Sequence, residues 1–429
     1  MARWSAPDRP MDRKDTKKHI VIINRSFWPD CEATGQLLTA LARELTAGYR
    51  VTVIAGCSYY GARAAFKPLC WYAGETHDGI DIIRVRHTRF WKGRLAGRFS
   101  NWATYCILTF FAAVGVRADL LVVCTDPPFL GIMGAIIKWL RGIPYVYNCQ
   151  DLYPDVVLAM GVLKRGAASA LFDRLNTYAL TRARVVIPIG ESMKEKLRVK
   201  GIPARRMLVI PNWADTGSIT PVDRRDNRLA QRYGLADDFV VEYSGNIGLA
   251  HDFSDCLRAF EEVQRENAGR KMHFFIIGEG AGKKNLERLI AASSAQNITL
   301  LPYQPAEDLA SSLSMADLHI VLLGKGTAGT MVPSKVYGIM AAGRPYIAIA
   351  DKESEPARIA QEYTCGFWAA PGDGTAVAKT LRWALEHPAQ ARVMGEAGRR
   401  AAETRYEKKV VLKEWAALVA GLFRGEGKN

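Results

Sequence analysis

The stretch M-V-P-S-K-V-Y-G-I-M-A-A-G-R-P-Y-I-A, residues 331–348, decides how the second half of the chain folds. Val332, Pro333 and Ser334 read as a tight loop, 335–342 as a short helix of small and apolar residues, Gly343 as its stop and Pro345 as the entry to a strand. Unpaired backbone N–H groups and the positive dipole end make a helix start a place where phosphate can bind. Ser334 would add a hydroxyl donor there and Lys335 a full charge. Serine is also an ordinary helix cap, so this stretch alone leaves both readings open.

The same strand–loop–helix order recurs on either side. Apolar runs typical of buried parallel strands fall at 240–243, 273–277, 298–301, 318–322 and 346–350, with helical patterns at 253–267, 283–292 and 333–342 between them. An earlier series has strands at 19–24, 51–55, 80–85, 120–124, 145–149, 185–189 and 207–210, separated by helices such as 34–47 and 131–140. Two successive series predict an α/β protein with two doubly wound, Rossmann-like parallel sheets. Pro, Asn, Asp, Gly and Thr cluster at 211–220 and mark the break. The expected division is a loose basic tail at 1–18, one domain at 19–215, a second at 216–405 and a final segment at 406–429. A chain of 429 residues is also long for a single core.

The net charge of +15 is uneven, with +11 in residues 1–190 and +4 in the remainder. Such a field suits nucleic acid, an anionic membrane face or a phosphorylated substrate. The eight cysteines are scattered without C-x-x-C, and the seven histidines lack H-x-x-x-H, which argues for a reducing compartment and against a structural metal. The longest apolar run, near 103–116, is shorter than the ~20 residues of a spanning helix, and the N-terminus shows no apolar leader. A cytoplasmic protein able to lie on a membrane is expected.

Ligands of open α/β sheets sit beyond the carboxyl ends of the strands. Thr34 and Gly35 follow the first strand, where glycine would admit a ligand close to the backbone or simply make the turn. Asp151 follows the strand at 145–149; it could orient a hydroxyl or take its proton, or cap a helix, the role expected of Asp155. In the second half, Gly245, Asn246 and Gly248, then Gly278, Glu279, Gly280 and Lys283, then Tyr303 and Gln304 each follow a strand. Together with Ser334 and Lys335 they would meet at one sheet edge around a nucleotide. Arg84, Arg86, Arg89, Lys92, Arg94 and Arg98, interleaved with Phe90, Trp91, Phe99 and Trp102, suit an anionic membrane surface; the alternative is a solvated basic loop. No nucleic-acid motif accompanies them.

On the motifs F-W-P-D-C-E-A-T-G-Q, V-I-P-N-W-A-D, Y-S-G-N-I-G, F-I-I-G-E-G and V-P-S-K-V-Y-G-I-M-A-A-G-R-P, the chain resembles glycosyltransferase family 4, retaining enzymes of the GT-B fold, over nearly all of 19–423. It looks most like bacterial fucosyl- and N-acetylfucosaminyltransferases of exopolysaccharide or O-antigen assembly. The resemblance implies two domains facing across a cleft, with a C-terminal helix crossing back onto the first. It implies a UDP- or GDP-sugar donor held by Gly245, Asn246, Gly248, Gly278, Glu279, Gly280, Lys283, Tyr303, Gln304, Ser334, Lys335 and Tyr337. It also implies a polyprenyl-diphosphate-linked saccharide acceptor near Thr34 and Gly35, with Asp151 and Lys335 catalytic, no metal, and a place on the inner face of the plasma membrane. A nucleotide-sugar epimerase of the same architecture and an inactive membrane-associated scaffold are the alternatives. The chain departs from the family where many members carry two glutamates: Thr330 and Gly338 stand there. An Arg…Lys pair expected after the Y-x-G strand is absent, with Asn246 and His251 nearby, and the acceptor-side histidine is replaced near Gln150 and Asp151.

Overall fold

The structure is a computed structural model and describes residues 17–30, 32–57, 70–90, 95–249, 251–267 and 269–425. Among these residues, thirteen strands form two sheets. The first contains β1 (His19–Ile23), β2 (Arg50–Gly56), β3 (Tyr72–His77), β4 (Ile80–Val85), β5 (Leu120–Val123), β6 (Tyr145–Cys149) and β7 (Val185–Pro188), ordered 3-4-2-1-5-6-7. The second contains β8 (Phe239–Ser244), β9 (Met272–Ile277), β10 (Ile298–Leu301), β11 (Leu318–Leu322), β12 (Tyr346–Ile349) and β13 (Gly366–Ala369), ordered 10-9-8-11-12-13. All pairings are parallel except β3 on β4. The chain is thus an α/β protein of two parallel-sheet domains, the GT-B architecture.

The strands read as unbroken apolar runs because helices cover both faces. In β1, Val21 and Ile23 face Tyr105, Met133 and Ile137, while Ile20 and Ile22 face Leu38, Leu41 and the C-terminal helix Lys408–Arg424. That helix buries Val411, Leu412, Trp415, Val419 and Leu422, a stripe with helical spacing, against the first sheet. Two connections therefore join the domains, and they run side by side. Ala214 N–H donates to the Tyr406 carbonyl at 3.0 Å, Lys408 N–H to the Ala214 carbonyl at 3.0 Å, and the Glu407 carboxylate accepts from Thr216 N–H at 2.9 Å.

Three expectations change. Residues 207–210 run beside β7 but form a single bridge, Val186 to Met207, instead of a strand, with Pro188 and Pro211 limiting the ladder. Strand β3 was not expected, because Y-A-G-E-T-H lacks an apolar run and pairs antiparallel at an edge. Nor was β13, whose Gly366 would place a Cβ 2.4 Å from the Tyr346 carbonyl oxygen. Most of the expected tail, residues 1–16, lies outside the described residues, as do Trp91, Lys92 and Arg94 of the basic stretch.

Candidate active site

The loops after β8 and β9 extend the parallel pairing of their strands. Gly245 N–H donates to Ile277 O at 2.8 Å, Ile247 N–H to Glu279 O at 2.9 Å and Gly282 N–H to Ile247 O at 2.9 Å. This close approach works only with glycine at two points. A Cβ on Gly278 would sit 2.0 Å from Gly245 O and one on Gly280 would sit 2.2 Å from Ile247 O, and both have positive φ, +146° and +158°. The product is a bare backbone ledge at the carboxyl edge of the second sheet.

Lys335 projects onto that ledge. It opens the helix Lys335–Ala341, and its Nζ lies 2.9 Å from where a Cβ on Gly245 would be. The ammonium is 3.6 Å from the centroid of the Tyr243 ring, and its Nζ is buried without a hydrogen-bond partner among the described residues. Burial lowers its pKa to about 7. A cation over a tyrosine gains up to about 2 kcal/mol, less than an unpaired charge loses on leaving water, so the ring supports the lysine without satisfying it. Tyr243 is fixed in turn: its hydroxyl donates to Asn246 O at 2.6 Å and lies 2.9 Å from His251 Nδ1. His251 is held at a pKa of about 4 by burial and by Lys335, so no second cation forms there at neutral pH.

The opposite wall comes from the first sheet. Asp151 forms a backbone bridge to Met331, and Leu152 N–H donates to Thr330 O at 2.7 Å, which ties the loop after β6 to the loop leading into Lys335. Asp151 N–H donates to Thr125 Oγ1 at 3.1 Å. Burial, then the nearby Asp126 carboxylate, raises the Asp151 pKa to about 6. Asp126 itself pairs with Arg25 at 3.1 Å, joining the loops after β1 and β5. Gln150 and Asn212 exchange amide hydrogen bonds at 3.1 and 2.9 Å.

Of the residues singled out by sequence, the structure brings together Gly245, Asn246, Gly248, Gly278, Glu279, Gly280 and Lys335 on one ledge, with Ser334 next to Lys335. The helix that Lys335 opens spans only seven residues and its first turn carries no side-chain cap, so Lys335 Nζ, more than a helix dipole, supplies the positive potential. Lys283 is engaged by Glu279 at 2.7 Å at the surface. Tyr303 is half-exposed with its hydroxyl 3.5 Å from Glu279 O, and the Gln304 side chain folds back on Pro302 O at 2.8 Å. Thr34 and Gly35 sit in the first turn of the helix Ala33–Thr46. A Cβ on Gly35 would meet protein atoms no nearer than 3.5 Å, so protein packing does not require glycine there.

Two assignments are corrected. Tyr337 is fully buried and packs on Tyr406 at 5.0 Å, on the core side of its helix, away from the ledge. Arg84 is fully buried in β4, where its guanidinium binds Glu75 at 2.6 Å and Gly56 O at 3.3 Å, so it cannot touch a membrane. Thr330 is buried and its hydroxyl donates to Thr327 O at 2.7 Å, while a Cβ on Gly338 would point toward Leu313 and Ile219. Neither position carries a group for a sugar. Sequence reasoning missed Tyr243 and the Arg25–Asp126 pair; the aromatic at the strand end before Gly245 was the available signal for the first.

A two-domain α/β fold with a backbone ledge and a buried cation on one domain, and a loop carrying Asp151 from the other domain bridged to the segment leading into that cation, is the framework of a GT-B glycosyltransferase. Residues 33–213 match the glycosyl transferase 4-like domain and residues 227–401 the glycosyl transferases group 1 domain, and the chain is a glycosyltransferase built from these two. It is 26% identical to WbjE of Pseudomonas aeruginosa, named as a glycosyltransferase, over 71% of this chain and 75% of that one. It is 24% identical to WcaI of Escherichia coli K12, a glycosyl transferase assigned by name to colanic acid biosynthesis, over 80% and 86%. Among solved structures, Anabaena HepE in complex with UDP-glucose has the same fold, with a TM-score of 0.71 and 16% identity over 94% of this chain and 99% of that one.

Proposed function

We propose that the enzyme moves a sugar from a UDP- or GDP-sugar to a lipid-diphosphate-linked saccharide during assembly of a bacterial surface polysaccharide, with retention at the anomeric carbon. The observation that carries this reading is Lys335, a buried ammonium without a hydrogen-bond partner among the described residues, set against the Gly245–Gly280 ledge. A diphosphate there would pair with Nζ. As the bond from anomeric carbon to phosphate breaks, charge grows on the leaving nucleoside diphosphate, and Lys335 with the ledge amides would stabilise it. The new bond forms to the acceptor hydroxyl, whose proton Asp151 orients or accepts. With its pKa near 6, Asp151 is mostly ionised at neutral pH and still basic enough to help.

The names of WbjE and WcaI support a polysaccharide pathway, and the UDP-glucose bound by HepE supports a nucleotide-sugar donor. Fucose or N-acetylfucosamine as the sugar rests on sequence resemblance alone, and a cytoplasmic site of action rests on the scattered cysteines together with that resemblance. Thr330 and Gly338 favour a second reading, a scaffold that has lost catalysis. Thermal denaturation with UDP, GDP and their sugars separates the two. A diphosphate at about 100 times its Kd should add ~2.7 kcal/mol of stability. No shift with any nucleotide would reject the enzyme reading, and donor conversion without acceptor would point to an epimerase.

A further inference from the structure

With Arg84 buried, the cationic and apolar surface of the first domain has to be sought elsewhere. Three helices cover one face of the first sheet: Leu95–Gly115, Leu130–Arg141 and Ala167–Arg182, the middle one packed between the others. Their inner sides fill the core, yet each carries a second apolar stripe toward solvent. Ile107 and Phe111 are four apart on the first, Ile136 and Trp139 three apart on the second, and Leu171 and Leu175 four apart on the third. Trp139 is 81% exposed and Phe111 64%. A helix apolar on both sides is not a solvated surface helix, and side-by-side stripes form a patch larger than scattered single residues.

The charges on these helices are predominantly positive. Leu95–Gly115 and Leu130–Arg141 contain no acid, and the lone acid of Ala167–Arg182, Asp173, is bound by Lys200. Lys138 donates to Arg182 O at 2.7 Å beside Trp139, and its pKa is lowered by burial and by Arg206, Arg182 and Arg184 around it. An anion there would relieve the crowding of like charges. Near the cleft, Phe129 packs edge-on to Phe99, with ring centroids 6.4 Å apart, and tilted against Phe172 at 5.0 Å, in the same loop as Asp126, so the patch runs to the rim of the first-domain wall.

We propose that this three-helix face docks on an anionic lipid bilayer, with Trp139 and Phe111 in the headgroup–acyl boundary and Lys138 and Arg141 against lipid phosphates. The proposal deepens the reading of a lipid-linked acceptor and rests on it for its biological sense. A docked face would hold the cleft rim at the surface from which such a saccharide emerges.

Flotation with phosphatidylcholine vesicles, with and without phosphatidylglycerol, tests this on the full chain. The protein should partition onto the mixed vesicles and much less onto phosphatidylcholine alone, and added salt should weaken binding. The double variant F111E/W139E should lose at least about 10-fold in partition, while UDP or GDP still raises its melting temperature as in the parent. Unchanged partition of that variant, or equal binding to both vesicle types, would overturn the proposal. So would a concentration-dependent dimer abolished by W139E in a protein that ignores vesicles, because the occupant would then be a second copy. Failure of sugar transfer with intact flotation would count against the acceptor reading and leave the docking face standing.

Discussion

The two walls of the cleft are made from different materials. The second domain presents backbone: the loops after β8 and β9 are zipped together through Gly245, Gly278 and Gly280, and one cation stands over them. The first domain presents side chains paired with one another, Arg25 with Asp126 and Gln150 with Asn212, around an Asp151 pushed toward neutrality. On the proposed reading, a backbone wall would suit a ligand part common to every donor, the diphosphate, because amides are insensitive to most substitutions. A side-chain wall can be rebuilt residue by residue to fit a different acceptor. The same fold can therefore keep its leaving group and change its recipient.

The contrast can be broken most severely at the backbone wall. Gly278→Ala would force a Cβ onto Gly245 O at a left-handed φ; it should cost about 3 kcal/mol or more and abolish nucleotide-dependent stabilisation, both readable in thermal denaturation. If Gly278→Ala keeps full donor affinity, the ledge is not the site. Lys335→Met comes next, with kcat/KM lower by about 10²–10³-fold. Its stability should hold or rise, because an unpaired buried charge is removed. There is a pH signature as well. The folded pKa of Lys335, about 7, lies below its ordinary 10.5, so the unfolded chain holds more protons between those values. The ligand-free protein should gain stability as pH rises through that window, and Lys335→Met should flatten the gain.

The side-chain wall should respond more gently. Asp151→Asn is expected to lower kcat about 10²-fold and to erase the fall in kcat/KM below about pH 6 that the parent shows. Its stability should move the other way. Asp151 titrates at about 6 in the fold against 3.8 ordinarily, so the parent loses stability as pH rises through that interval, and the asparagine variant should be the more stable above it. A pH profile unaltered in Asp151→Asn would remove Asp151 from the chemistry. The smallest effect belongs to Lys283→Ala, which deletes a surface pair with Glu279 worth 0–1 kcal/mol, roughly; donor affinity should change less than about 3-fold. A larger loss would return Lys283 to the phosphates.

What could be read from sequence follows the same division. Local patterns, meaning apolar runs, glycine after a strand and Ser334–Lys335 at a helix start, placed both sheets and the ledge, because each signal lies within a few residues. What was missed depends on distant partners. Arg84 looked like part of a basic stretch because Glu75, which buries it, belongs to an unforeseen polar edge strand. Tyr337 sits two residues after Lys335, but the helix turns it to the opposite side, onto Tyr406. The Tyr243 ring beneath Lys335 is a contact across 92 positions, invisible to any window along the chain.

The helix Lys408–Arg424 has a consequence for biogenesis. One face of the first sheet is covered only in part, by the helix Ala33–Thr46, until Trp415 and its neighbours reach it, yet these residues are made after the whole second domain. During synthesis the second half can complete its own core first, while the first half waits with an uncovered greasy side for a chaperone to guard. Maturation of the amino-terminal half is thereby tied to arrival of a helix translated after the second domain, so a ribosome stalled short of it would release the first sheet without that part of its backing.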